Sequence, residues 1–218
     1  MEKQNGLRKK AINYCVRNFR RLERITDMRI CGELLGEYVP SIDRDDKNGI
    51  GGTGSESTYY ALLRRIFSHL QLSSTDKLMD VGCGKGRVLA FLIKQKYPCE
   101  IYGIEHNEEV GKIAARWTQR YEHAHIIFGD ALQHDYNPYT VITIGRPFLP
   151  KTFEQFIMHL ENILTHPITL IVWYDYQNRP FLYNRTGWKM ICQGQVSRIH
   201  GIMIWQPPHG YSIWSYNP

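Results

Sequence analysis

Apolar and polar residues alternate along residues 77–174 in a way that predicts strands and helices in turn. Five short apolar segments have strand character: KLMDV (77–81), IYGIE (101–105), HIIFGD (125–130), VITIG (141–145) and ITLIVWY (168–174). Three of the four connections between these strands contain a segment with helical spacing: GRVLAFLIKQ (86–95), EEVGKIAARWTQRY (108–121) and TFEQFIMHLENIL (152–164). This alternation at short spacing indicates βαβ units and therefore an α/β fold with a mostly parallel, buried sheet and helices on both faces.

The C-terminal part has a different pattern. WKMICQGQVSRI (188–199), GIMIWQ (201–206) and YSIWSY (211–216) are strand-like, and the spaces between them are too short for helices. We therefore expect the sheet to end in antiparallel strands.

Residues ahead of the first strand form two further segments. Residues 7–25 have helical spacing, and the stripe expected to pack on the main domain is Leu7, Ala11, Cys15, Phe19 and Leu22. A glycine-rich loop follows, and then a helix over 57–70 with Ser55 or Ser57 as its N-cap. The chain thus divides into a basic amphipathic N-terminal helix (1–31), a glycine-rich loop (32–56) and a main domain (57–218).

The net charge of +6 is confined to the N-terminal helix. Residues 1–30 hold nine cations and three acids, and the remaining residues balance to zero. The helix could dock on the domain and solvate its charges, or bind nucleic acid or an acidic partner, or lie on a membrane surface.

Length and composition exclude several classes of protein. The 218 residues suit one α/β domain, and the longest apolar run, residues 168–174, is too short for a membrane span. No apolar run follows the basic N-terminus, which disfavours a secretory signal, although a transit peptide stays as an alternative. The five scattered cysteines predict reduced thiols, a cytoplasmic location and no metal site. His123 and His125 could share one face of a strand, but no third metal ligand lies near them in sequence, so they do not indicate a metal site.

The loop DVGCGKGR (80–87) indicates a ligand site after the first strand. A triphosphate loop would need Ser or Thr after a Gly-Lys pair, which is absent here. A dinucleotide loop would need glycine where Arg87 stands, so this reading is weakened, although the ribose-binding acid would still fit. The pattern D-x-G-x-G-x-G fits S-adenosylmethionine best. Backbone amides at the helix start can hold the ligand's carboxylate, and Asp80 can assist its ammonium group.

Two further acids follow at even spacing. Glu105 ends the second strand and Asp130 ends the third. Because ligands lie at the carboxyl ends of parallel strands, Glu105 is placed to accept from both ribose hydroxyls. Asp130 is placed to accept from the adenine amine, with the backbone of Ala131 nearby.

With these motifs the chain resembles the class I S-adenosylmethionine-dependent methyltransferases over about residues 55–214. LMDVGCGKGRVLAF, GIEHN and GDAL are similar to that family's first three motifs. More narrowly, the chain is similar to a group of small bacterial methyltransferases of undefined substrate. The resemblance implies a Rossmann-like, seven-stranded sheet and a segment before the glycine loop that folds over the cofactor. The residues that it implies for donor binding are Asp80, Gly82, Cys83, Gly84, Gly86, Glu105, His106, Asp130 and Ala131, although a plain loop histidine is as good an interpretation of His106.

The methyl acceptor is left open. Relatives place Asn or Asp before a proline after the fourth strand, and here GRPF puts Arg146 there, a donor that cannot accept from an amine. NPY (137–139) precedes that strand and is interpreted as a turn. Arg146 could orient an anionic acceptor, or pair with Asp175, or mark a loss of activity. The candidate catalytic residues are Arg146, Tyr59 and Asp175, with Tyr60 and Tyr174 as further residues near the acceptor.

The sequence therefore predicts an S-adenosylmethionine-dependent methyltransferase with an undefined acceptor. The alternative is a non-catalytic module of the same fold that binds nucleic acid or a protein through residues 1–30. An NAD-type oxidoreductase is a third hypothesis, and Arg87 argues against it.

Overall fold

The computed structural model describes residues 2–199, 202–203 and 208–218, and the side chains of residues 14–198 and 208–218. The helices are α1 (Glu2–Cys31), α2 (Tyr60–Phe67), α3 (Arg87–Lys94), α4 (Glu108–Thr118) and α5 (Pro150–Ile163), with a short 3₁₀ helix at Arg179–Leu182. The strands are β1 (Lys77–Val81), β2 (Glu100–Glu105), β3 (Ala124–Phe128), β4 (Val141–Ile144), β5 (Ile168–Trp173), β6 (Trp188–Val196), β7 (Arg198–Ile199), β8 (Ile202–Met203) and β9 (His209–Tyr216).

Seven strands form one sheet in the order β3-β2-β1-β4-β5-β9-β6. The first five strands pair in parallel, and β9 runs antiparallel to both β5 and β6. Alternate residues of each strand face opposite sides of the sheet, so Leu78 packs with α2 and α3 while Met79 packs with α5. The mostly parallel sheet with antiparallel C-terminal strands is the predicted architecture.

Two local predictions were wrong. The middle C-terminal segment does not join the main sheet: β8 pairs with β7 in a separate two-stranded ribbon, and residues 201 and 204–206 lie outside the described residues. Helix α2 begins at Tyr60 rather than at 57, because the Ser57 hydroxyl donates to the carbonyl oxygen of Leu35 and caps nothing. The N–H of Tyr60 is instead accepted by the Glu23 carboxylate at 3.0 Å.

Two buried carboxylates attach helix α1 to the rest of the domain. Glu23 and Asp27 lie one turn apart and are 6% and 0% exposed, and both pair with the buried Arg87 at the start of α3. Asp27 also accepts from the Tyr60 hydroxyl at 2.9 Å and from the Leu35 N–H at 3.1 Å. Removing one partner from such a cluster costs about 3–5 kcal/mol, because the remaining charge stays buried without a counter-ion.

The predicted apolar stripe of α1 is correct only in part. Phe19 packs on the Tyr59 ring with centroids 5.5 Å apart, but Leu22 is 63% exposed. The side chains of Leu7 and Ala11 lie outside the described ones. The docking face is thus rotated toward Glu23 and Asp27, and the division of the chain at residues 31 and 56 stays a prediction.

Among the described residues, no helix combines the length and the apolar character needed to cross a membrane.

The buried Glu23 makes stability depend on pH. Burial raises its pKa from 4.5 to about 7, so between these values the folded state binds more protons than the unfolded state. The free energy of unfolding should therefore fall as pH rises from about 4.5 to 7. Glu23→Gln should remove about 3 kcal/mol of this fall, measured by urea denaturation at pH 5 and 7.5. Two other buried groups keep their own contributions in both proteins: burial raises the pKa of Asp80 to about 7, which gives a slope of the same sign, and lowers the pKa of His209 to about 4, which gives the opposite sign.

Glu122→Gln is the control, since Glu122 is exposed on the surface. It should leave the pH dependence of the wild type unchanged. An E23Q protein with the full wild-type slope would show that Glu23 does not titrate in this range.

Candidate functional site

A cavity of about 400 Å³ opens at the carboxyl ends of the parallel strands. Its wall combines residues from four strand ends, Gly82 after β1, Glu105 at the end of β2, Asp130 after β3 and Arg146 after β4. Residues 38–56, ahead of the sheet in sequence, close its outer side. The strand-end acids predicted from their spacing are thus brought together in one site.

The glycine loop is built so that each glycine meets another part of the chain. Gly82, Gly84 and Gly86 have φ values of 66°, 57° and 86°, in the left-handed region. A Cβ on Gly82 would lie 2.3 Å from the Pro147 Cβ, and one on Gly86 would lie 2.7 Å from the Trp117 ring. The first position therefore faces the cavity, whereas the third permits close packing of α4 on α3.

Four predicted donor-binding residues of this loop do not line the cavity: Asp80, Cys83, Gly84 and Gly86. Asp80 is 2% exposed and accepts from the Thr143 hydroxyl at 2.8 Å, and burial raises its pKa to about 7. The Cys83 side chain packs against Gly103, and burial raises the pKa of its thiol. Gly84 is covered by Ser55, whose Oγ would lie 2.6 Å from an added Cβ. Asp80 and Cys83 therefore lie beneath the loop rather than in the cavity wall.

Glu105 holds the turn between β2 and α4. Its Oε2 accepts from the Gly84 N–H at 2.8 Å and its Oε1 from the Asn107 N–H at 2.9 Å. Burial raises the pKa of this carboxyl. Each carboxylate oxygen has a second lone pair, so Glu105 can orient the glycine loop and still accept from a ligand.

The β3 end supplies an apolar slot edged by an acid. Ile104, Val110, Ala131 and Leu132 line the cavity beside the exposed Asp130. Asp130 accepts from the Leu132 N–H at 2.8 Å and from the Gln133 amide at 3.0 Å. Apolar side chains beside a carboxylate have the chemistry to bind a flat ring with a polar edge. His106 is exposed on the cavity wall beside it.

The covering segment, residues 38–56, is fastened to the loop that follows β4. Thr53 donates its N–H to the Pro147 carbonyl at 2.9 Å and its hydroxyl to the Arg146 carbonyl at 2.6 Å. Gly51 accepts from the Leu149 N–H at 2.9 Å and donates to the Thr152 hydroxyl at 2.8 Å. These bonds hold the segment against the start of α5.

Arg146 lies at the open side of the cavity. Its backbone is left-handed, with φ 58°, and its guanidinium carbon stands 5.8 Å from the centroid of the Tyr174 ring. The side chain is exposed. Arg146 is therefore held by stacking and by its carbonyl, with its N–H donors available to a ligand.

Asp175 and Tyr59 do not belong to this site. Asp175 is fully buried, pairs with Arg179 at 2.8 Å and accepts from the Ser212 hydroxyl at 2.6 Å, so the predicted pairing with Arg146 is wrong. Tyr59 packs on Phe19 of α1. Both side chains were chosen from sequence position alone; Asp175 pairs with a residue one helical turn further on, and Tyr59 packs on a residue forty positions earlier.

The NPY turn lies at the opposite end of the sheet, as its position before β4 predicts. Asn137 donates to the Ile163 carbonyl and accepts from the Thr165 N–H, each at 3.0 Å. It fixes the connection between α5 and β5 and has no role in the cavity.

Sequence reasoning missed several wall residues. Gln155 and Thr152 line the cavity from α5, and Tyr38 and Asp43 line it from the covering segment. The glycine-rich composition pointed to the segment as a whole, but no pattern singled out these side chains.

Comparison with known proteins supports the same assignment. The sequence profile of the family described as "Histone methylation protein DOT1" matches residues 54–140, less than half of the chain. The search of curated proteins found no match to this chain.

Solved structures share the fold at low sequence identity. An RNA methyltransferase from Salinibacter ruber, in complex with S-adenosyl-L-homocysteine, aligns with a TM-score of 0.55 and 17% identity over 74% of this chain and 94% of its own. StiE O-MT aligns with a TM-score of 0.58 and 13% identity over 72% and 73%. A fibrillarin/Nop5p complex aligns with a TM-score of 0.56 and 13% identity over 76% and 86%.

The fold is that of the class I methyltransferases, and the matched profile covers the glycine loop and both strand-end acids. The predicted class, an S-adenosylmethionine-dependent methyltransferase, is confirmed. The narrower likeness to small bacterial enzymes stays a prediction.

Gly82 offers a test of the cavity wall. Gly82→Ala should cost about 2–3 kcal/mol in the free energy of unfolding, because its φ of 66° strains an L-residue and its Cβ would meet the Pro147 ring. Gly129→Ala, at another cavity-lining glycine whose nearest atom would be 4.0 Å away, should cost under about 0.5 kcal/mol. Equal thermal shifts in the two variants would contradict this contact.

Proposed function

We propose that the cavity binds S-adenosylmethionine and that the methyl acceptor reaches it on the side of Arg146 and Tyr174. The observation that supports this most directly is the convergence of Gly82, Glu105, Asp130 and Arg146 on one cavity. The acceptor itself stays undefined.

The residues fit the donor in two respects. Glu105 faces the cavity with lone pairs that suit ribose hydroxyls, and its bond to Gly84 keeps it in position. The slot of Ile104, Val110 and Ala131 suits an adenine ring, with Asp130 at the polar edge. Gly82 lines the cavity and lets the Pro147 ring pack directly on the glycine loop, which brings the loop after β4 to the cavity wall. Asp80, Cys83, Gly84 and Gly86 act in this proposal by shaping the loop from beneath.

The donor supplies a methyl group on a sulfonium sulfur. The protein aligns the acceptor opposite that sulfur, since transfer of a methyl cation equivalent needs positioning more than covalent help. The covering segment lines the cavity, and its bonds to the Arg146 and Pro147 carbonyls fix the acceptor side relative to the donor side.

Arg146 favours an anionic acceptor. A guanidinium donates and never accepts, and its planar fork matches a carboxylate or a phosphate. The stacking on Tyr174 limits the orientations of the fork. We therefore prefer an acceptor-binding role for Arg146 to a structural ion pair with Asp175, because Asp175 pairs with Arg179.

We further propose a cytoplasmic location. The five cysteines are all free thiols, which suits a reducing compartment.

The donor side is tested by Glu105→Gln. Loss of one charged acceptor should weaken binding of S-adenosyl-L-homocysteine by about tenfold or more, measured by isothermal titration calorimetry. Glu109→Gln, an exposed glutamate on α4, is the matched control and should bind like the wild type. Unchanged affinity in E105Q would remove Glu105 from the donor site.

The acceptor side is tested by Arg146→Asn, which deletes the guanidinium and retains a residue that tolerates left-handed backbone. Binding of S-adenosyl-L-homocysteine should stay within about threefold of the wild type, by the same calorimetry. Arg146→Ala should additionally lower the melting temperature, because alanine strains at φ 58°. A loss of donor affinity in R146N as large as that of E105Q would place Arg146 on the donor side.

A further inference from the structure

The outward surface of α1 displays five arginines, which we name the arginine face: Arg17, Arg20, Arg21, Arg24 and Arg29. All five are exposed. Among the side chains that the structure describes, none of the five forms an ion pair. The face therefore carries its full positive charge toward solvent.

The acids that could neutralise this face point the other way. Glu23 and Asp27 alternate with the arginines in sequence, but both are buried and bound to Arg87. The same cluster that docks α1 thus separates the charges of the helix, with the acids inward and the arginines outward.

An apolar floor lies between the arginines. They line an open groove of about 720 Å³ together with Ile25, Met28 and Leu34. Ile25 and Met28 are 38% and 50% exposed. Because the apolar side chains lie in the same groove as the arginines, the surface suits a ligand with both anionic and apolar parts.

We propose that the arginine face and its floor bind single-stranded nucleic acid. Guanidinium groups form bidentate contacts with phosphates, and Arg17 to Arg29 span about 18 Å along the helix, enough for several successive nucleotides. Unpaired bases offer flat apolar faces to the floor, which the stacked bases of a duplex do not. An acidic amphipathic helix is the other ligand with anionic and apolar parts, but its apolar stripe is longer than a floor of three side chains.

The surface adjoins the donor cavity. Leu34 belongs to the floor, and Tyr38, four residues later, lines the cavity. The groove on α1 and the covering segment are therefore neighbours along the chain. The inference is independent of the proposed function, because it depends on the surface of α1 and not on methyl transfer.

The experiment measures binding of the full chain to a fluorescein-labelled 12-nucleotide RNA of mixed sequence by anisotropy at 50, 100 and 200 mM salt. The variant R17Q/R21Q/R24Q should bind at least tenfold more weakly at 100 mM salt, and the slope of log affinity against log salt should fall by about two, because three phosphate contacts are lost. The control R64Q/R65Q/K189Q removes three exposed cations elsewhere and should retain wild-type affinity and slope.

Met28→Ser tests the floor. It should weaken binding of the single strand severalfold without changing the salt slope, and it should leave binding of a duplex of the same sequence unchanged. Circular dichroism melting and titration with S-adenosyl-L-homocysteine confirm that each variant is folded and keeps its donor site.

Four results would overturn the proposal. They are unchanged RNA affinity in the α1 variant, an equal loss in the control, tighter binding of the duplex than of the single strand, and tighter binding of polyglutamate than of RNA. Each is separate from the donor-binding outcome, so failure here does not bear on the cavity.

Discussion

The buried cluster of Arg87 with Glu23 and Asp27 holds the C-terminal half of α1 against α2 and α3. Asp27 accepts from Arg87, from the Tyr60 hydroxyl and from the Leu35 N–H, so one carboxylate connects α1, α2, α3 and the start of the chain that covers the cavity. Arg87 directly follows the last glycine of the loop. The attachment of α1 is therefore built into the same turn that shapes the donor site.

Local patterns in the sequence predicted what depends on local physics. Periodicity identified the strands β1 to β5, and the parallel topology then required Glu105 and Asp130 to meet at one sheet edge. The glycine loop was predictable because left-handed backbone and close contacts demand glycine in any context. The antiparallel end of the sheet followed from the lack of room for helices.

The remaining features depend on ion pairs between particular side chains, some close in sequence and some far apart. The apolar stripe of α1 placed Leu22 inward, yet ion pairs with a residue about sixty positions away turned the helix toward Glu23 and Asp27. Arg87 was interpreted only as a break in a dinucleotide motif. Asp175 seemed available to Arg146, but the 3₁₀ helix that follows brings Arg179 to it first. Periodicity carries no information about such pairs, because burial of a charge is decided by its counter-ion.

The backbone at position 146, where we propose that the acceptor binds, does not depend on the side chain that it carries. Arg146 occupies a left-handed backbone that asparagine, the residue of its resembled relatives, adopts at least as readily. The loop is held through the carbonyls of Arg146 and Pro147 rather than through the side chain. Exchange between an amide and a guanidinium there needs no rebuilding of the backbone. Under the proposed roles, a single-residue replacement at this position alters acceptor chemistry during evolution and leaves the donor side of the cavity intact.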